Sequence, residues 1–224
     1  MNASQPDRTD AVVDLLGVLA YGELSAFDRL ARDAELAPTL ADRSALSAMA
    51  TAEFHHHEQL IERLRELGVD PFVAMEPFVS TFDSFHESTA PSGWLESVVK
   101  AYVGDGIGSD FYRAVAEYLD PRTRDLVLEV CADTGHADFA VDRVRAAIAK
   151  DPAVAGRLAL WGRRLVGEML SQAQRVAVER DALADLLVGG AGDSSGMDLA
   201  ALTKMFGELT ERHAARMKAL GLSA

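Results

Sequence analysis

Apolar side chains return every three to four residues along most of this chain, and each stretch of that rhythm stops at proline, glycine or a short polar break. Val12, Leu16, Leu19, Phe27 and Leu30 form a first helical stripe over residues 12–34, ended by Ala37-Pro38-Thr39. Leu46, Met49, Leu60, Leu64 and Leu67 form a second, which stops at Gly68 and Pro71. Residues 69–91 change to Pro, Phe, Ser and Thr, with Phe78, Phe82 and Phe85 spaced for a short helix within a long crossover. A third stripe runs through Leu95, Val98, Tyr102, Ser109, Tyr112 and Ala116 to Asp120-Pro121, and a fourth through Leu126, Val130, Ala140, Val144 and Ile148. Beyond Asp151-Pro152 a long helical pattern reaches Leu187, followed by a Gly- and Ser-rich segment at 189–196 and an amphipathic helix from Leu199 to Leu220. No strand-like alternation stands out. The pattern therefore predicts an all-α chain: a four-helix bundle over residues 1–150, and two C-terminal helices over 151–224 that either pack on the bundle or pair subunits in a homodimer.

The polar residues that interrupt these stripes carry the candidate chemistry. Glu23 falls in register with the first stripe, Glu53 and His56 with the second, Asp105 with the third, and Asp133 and His136 with the fourth. A carboxylate followed on the next helix by an acid-x-x-His motif thus occurs twice: Glu23 with Glu53-Phe54-His55-His56, and Asp105 with Asp133-Thr134-Gly135-His136. Positions i and i+3 share a helix face, so each copy offers two carboxylates and one imidazole to a common centre. In an antiparallel hairpin Glu23 and Glu53 stand at the same height, each about fifteen residues from the turn. An unpaired carboxylate in an apolar stripe costs several kcal/mol unless it is neutralised. Two divalent ions would balance the four carboxylates, with one imidazole nitrogen for each, and this donor set favours Fe/Fe, Mn/Fe or Mn/Mn over zinc. A metal-free network of carboxylates and imidazoles sharing protons is the alternative.

Neighbouring residues refine this expectation. His57 can back His56, whereas His55 is expected to face outward. Asp110 lies about 140° round the helix from Asp105, off the stripe, and is set aside as a ligand. Gly104, Gly106 and Gly108 crowd the helix around Asp105 and provide either space beside the metals or close helix packing. Tyr102 and Tyr112 share that face as redox-active or as core residues. His86 and His213 are read as surface or crossover residues, and Cys131 as a small buried thiol.

Composition changes the picture in three ways. Of 224 residues, 49% are hydrophobic and 25% charged, which fits a folded globular chain rather than a disordered one. The single cysteine excludes an internal disulfide framework. A net charge of −13 opposes nucleic acid and anionic membranes, except at a local basic patch such as Arg157, Arg163, Arg164, Arg175 and Arg180, or Arg143, Arg145 and Lys150. The polar first ten residues and the lack of any long apolar run lead to the expectation of a cytoplasmic protein with no membrane partner.

The segments Ala20-Tyr21-Gly22-Glu23-Leu24, Ala52-Glu53-Phe54-His55-His56, Ala101-Tyr102-Val103-Gly104-Asp105-Gly106 and Ala132-Asp133-Thr134-Gly135-His136 resemble the ferritin-like di-iron carboxylate superfamily over roughly residues 10–150. More specifically, they resemble the tRNA methylthio-isopentenyl-adenosine hydroxylase-like family. The resemblance implies two iron ions held by Glu23, Glu53, His56, Asp105, Asp133 and His136, O2 as co-substrate, and hydroxylation of an organic substrate, with a modified tRNA nucleoside as one candidate. Asp stands at 105 and 133 where the family has Glu, which shortens the reach of that half. No flavin or nicotinamide fingerprint is present, so electrons are expected from a reductase or ferredoxin. Ferroxidase or peroxide-reducing activity, and a metal-free helical interaction protein, are the competing readings.

Overall fold

The computed structural model describes residues 8–132, 136–180, 182–183 and 199–224, and no strand occurs among them. The helices are α1 Arg8–Asp33, α2 Leu40–Glu66, α3 Pro71–Met75, α4 Val79–Ser88, α5 Trp94–Ala116, α6 Pro121–Val130, α7 His136–Lys150, α8 Ala153–Glu179 and α9 Leu199–Leu220. Their boundaries follow local chemistry. Thr39 caps α2 by accepting from the Asp42 amide at 3.1 Å, and Asp70 and Asp120 cap α3 and α6, each ahead of a proline in the first turn. Gly68 ends α2 with φ +76°, where the Val69 amide reaches the Leu64 carbonyl at 3.0 Å and the Gly68 amide reaches Arg65 at 2.9 Å.

α1 and α2 form the antiparallel hairpin that the two stripes predict. The crossover of α3 and α4 wraps over α1, and Gly17 permits the contact: a Cβ there would overlap the Ala74 carbonyl. Ser25 and His86 tie α4 to α1 through a 2.7 Å side-chain hydrogen bond. One core cluster joins Leu15, Leu16, Leu19, Leu60, Leu64, Phe78 and Val127. A second joins Val99, Val103, Val144, Leu158, Leu165, Met217 and Leu220, so α8 and α9 share a core with α5 and α7. Each such fully buried side chain contributes roughly 2 kcal/mol. None of the helices, over the described residues, is long and apolar enough to cross a membrane.

The structure corrects two expectations. The fourth stripe is divided between two helices: α6 stops at Val130, where the Cys131 amide bonds Val127 and Glu129, and α7 starts at His136. His86 lies in the crossover, one of its two expected places, and is buried there, whereas His213 is buried rather than at the surface because α9 packs inward.

Candidate metal centre

Glu23 sits in the middle of α1, and Glu53 and His56 lie one turn apart on α2, so the helix hairpin alone brings the three together. One donor atom from each lies within 4.8 Å of the others. His56 Nδ1 is 3.5 Å from Glu23 Oε2 and 3.7 Å from Glu53 Oε2. Those separations exceed a charge-assisted hydrogen bond of about 2.7–2.9 Å. They approach the roughly 3.0–3.5 Å between donors that share one ion at about 2.1 Å. Glu23 Oε2 and His56 Nδ1 are buried without a hydrogen-bond partner.

The surrounding residues hold this geometry. The His57 ring donates through Nδ1 to the Ala20 carbonyl at 2.8 Å, fixing α2 against α1 one turn from Glu23. The Phe82 ring from α4 lies over Gly22 and packs edge-on against Tyr21 at 5.5 Å. His55 faces outward beside Glu58, as its place on the helix suggests.

Electrostatics confirm how costly the cluster is without a cation. Burial, then the neighbouring Glu53 carboxyl, raises the Glu23 carboxyl well above its ordinary range. Glu23, then Glu53, lifts the His56 imidazole to about 10. The His56 imidazole of the metal-free cluster therefore retains its proton at neutral pH. Burial and then the Glu23 charge push the Cys131 thiol up to about 12, with Asp105 adding to the effect. Tyr112 is raised as well, by burial, Cys131 and Glu23. Glu23, Tyr112, Cys131 and Asp105 thus act on one region.

Asp105 differs from the expectation. Asp105 is exposed rather than buried in the bundle, accepts a 3.3 Å hydrogen bond from Ser109, and does not join the three-residue cluster. α5 packs against α1, α6, α7, α8 and α9, so burial does not select a single face of it. Asp110, the acid set aside on angular grounds, is the buried one at 4% exposure, and Arg113, Arg212 and Arg216 surround it. Gly106 serves packing, since a Cβ there would overlap the Arg216 side chain. Asp133 lies outside the described residues, as does the side chain of His136.

Reading the sequence had not identified the Asp110 network. Its signal is a pair of matching spacings: Gly106 with Asp110 on α5, and Arg212 with Arg216 on α9, each i and i+4. The arginine patches are also largely committed within the chain. Arg157 faces Glu96, Arg163 reaches the Ser223 and Ala224 carbonyls, Arg164 reaches Ser88, Arg180 grips Asp14, Arg143 grips Asp42, and Arg145 reaches Ala219.

A family described as a ferritin-like domain of actinomycetes matches residues 6–190. Among solved structures, a Synechococcus protein described as protein 19 with aldehyde deformylating oxidase activity aligns with a TM-score of 0.73 at 20% identity, covering 100% of this chain and 95% of its own. That likeness shows a shared fold. No curated protein matches the sequence.

Proposed function

We propose that this chain, which belongs to the family of ferritin-like domains of actinomycetes, is a di-iron oxidoreductase that uses dioxygen to oxidise a small organic substrate. The observation that carries this reading is the cluster of half-buried Glu23 and His56 with buried Glu53, in which the buried atoms Glu23 Oε2 and His56 Nδ1 are left unmatched. Buried polar atoms without partners are costly, and a divalent cation would complete both at once. Glu23, Glu53 and His56 would hold one ion. Asp105, Asp133 and His136 are proposed for the second, and Mn/Fe or Mn/Mn suits the same donors.

When bound, the iron supplies the reduction of dioxygen with electrons from an external reductase or ferredoxin. The chain's own residues prepare the site. Glu23 and Glu53 provide the charge that a dication neutralises, and His56 must release its proton for Nδ1 to act as a donor. Tyr112 and Cys131, both with raised pKa, remain neutral at pH 7 and hold their protons beside Glu23. Phe82 packs over Gly22, next to Glu23, and edge-on against Tyr21.

Two observations support a small organic substrate over a tRNA nucleoside. The net charge is −13, and most of the arginines that could form a phosphate-binding surface already bond within the chain. The activity described for the Synechococcus protein, directed at an aldehyde, belongs to the same substrate class. Anaerobic Fe(II) titration tests the proposal. Uptake should saturate at about two equivalents per chain, with an optical change and dioxygen consumption on exposure to air. Glu53→Ala should abolish all three responses. A wild-type protein that takes up no Fe(II) overturns the proposal.

A further inference from the structure

α6 and α9 both pack on α5, and beside its C-terminal half they enclose a cavity of about 380 Å³. Small-molecule sites start at about 300 Å³. The cavity is distinct from the cluster of Glu23, Glu53 and His56, none of which lines it.

Its charge runs against that of the chain. Arg113 on α5, Arg124 on α6, and Lys204 and Arg212 on α9 line it, against the carboxylates of Asp110, Glu117 and Glu208. Cations therefore outnumber acids here, in a chain with a net charge of −13. The excess is greatest around Asp110, which is 4% exposed. Arg212 Nη1 donates to it at 3.0 Å, Arg113 Nη1 lies 3.6 Å away, and Arg216 Nη2 bonds its other oxygen. Arg216 Nη1 is buried without a hydrogen-bond partner among the described residues. Three guanidinium charges that share one carboxylate in a partly buried place repel one another, and an anion bound beside them relieves that repulsion. Lys204 and Arg124 stand opposite Glu208 at 3.6 Å and Asp125 at 3.7 Å, exposed pairs that hold them weakly and leave both able to turn to a ligand.

The rest of the lining selects among anions. Leu128, at 42% exposure, Met205 and Leu209 form an apolar wall. An inorganic ion would leave that wall in water. An organic acid covers it with its apolar body while its two oxygens meet the guanidinium forks. We propose that this cavity binds a small organic monoanion, a carboxylate on a short aliphatic body, at a site separate from the metal centre.

Hexanoate is the probe, titrated calorimetrically into the full chain both as purified and after chelation of metal. It should bind about one equivalent per chain with a Kd of about 1 mM or tighter. The two preparations should agree, because Glu23, Glu53 and His56 do not line the cavity. Acetate, which lacks the body, and 1-hexanol, which lacks the charge, should each bind at least about ten-fold more weakly. Arg124→Gln combined with Lys204→Gln removes two exposed cations and should weaken hexanoate at least about five-fold. Leu128→Ser should weaken hexanoate about five-fold and leave acetate unchanged. Arg122→Gln, an exposed residue of α6 outside the cavity, is the control and should bind as wild type does.

The proposal is overturned by a wild type with no saturable hexanoate binding, or by variants that all keep wild-type affinity. Acetate or inorganic phosphate binding as tightly as hexanoate would overturn it too, since the cavity would then be an unselective anion trap. So would affinity that disappears on chelation, which would put the carboxylate on a metal ion instead.

Discussion

The Glu23 carboxyl and the His56 imidazole both hold their protons more tightly in the folded chain than at their ordinary values of 4.5 and 6.5. For Glu23 the folded state binds a proton that the unfolded chain loses above 4.5, so its contribution to stability declines as pH rises from there. His56 contributes fully below 6.5, and that contribution disappears as pH rises through about 10. Metal-free protein should therefore lose thermal stability steadily as pH is raised from about 5 towards 10, as melting curves across buffers would show. A metal ion must displace the His56 proton, so Mn(II) added in weak buffer at pH 7 should acidify the solution and bind more tightly as pH rises. Glu53→Gln keeps the shape and removes one buried charge. It should leave the metal-free melting temperature equal to or above wild type while eliminating the increase that Mn(II) gives, because only a ligand bound by the folded state raises stability. Glu23, Glu53 and His56 were legible in the sequence because each side of the hairpin has one clear apolar stripe that fixes the angle of its polar members. Asp105 was not, because a helix surrounded by five neighbours has no single stripe and its burial cannot be read from phase alone.

At the level of elements, caps and breakers carry most of the information. Thr39, Asp70-Pro71 and Asp120-Pro121 begin helices and Gly68 ends one, all readable from the chemistry of single residues. The division between α6 and α7 was missed, although the fourth stripe skips from Val130 to Ala140 and that gap contains the break. The placement of the crossover was also not readable, since it depends on tertiary contact: α3 lies on α1 because Gly17 has no side chain. Gly17→Ala would press a methyl against the Ala74 carbonyl, which the α3 backbone cannot readily move. Chemical denaturation should register a loss of about 2 kcal/mol. Adding a methyl at Gly104, which faces no atom within 4 Å, should instead be neutral or slightly stabilising.

At the level of the whole molecule, the C-terminal helices form part of the core and also consume much of the positive charge that could otherwise form an external patch. Met217 and Leu220 of α9 are fully buried with Val99 and Leu158, while Arg180 at the end of α8 is committed to Asp14 near the start of α1. The sequence showed these helices and their basic side chains. It did not show which acids and carbonyls they meet, because partners from Asp14 to Ala224 converge only in three dimensions. With those cations engaged and a net charge of −13, unmodified tRNA should show no saturable binding at about 10 µM protein in low salt, measured by fluorescence anisotropy. The central claim concerns the α1–α2 hairpin, and anomalous diffraction at the iron edge from crystals grown anaerobically with Fe(II) tests it most directly. A strong peak is expected within coordination distance, about 2.0–2.2 Å, of Glu23, Glu53 and His56 Nδ1. An iron-free cluster in which His56 instead closes onto Glu23 or Glu53 in a short hydrogen bond would contradict it.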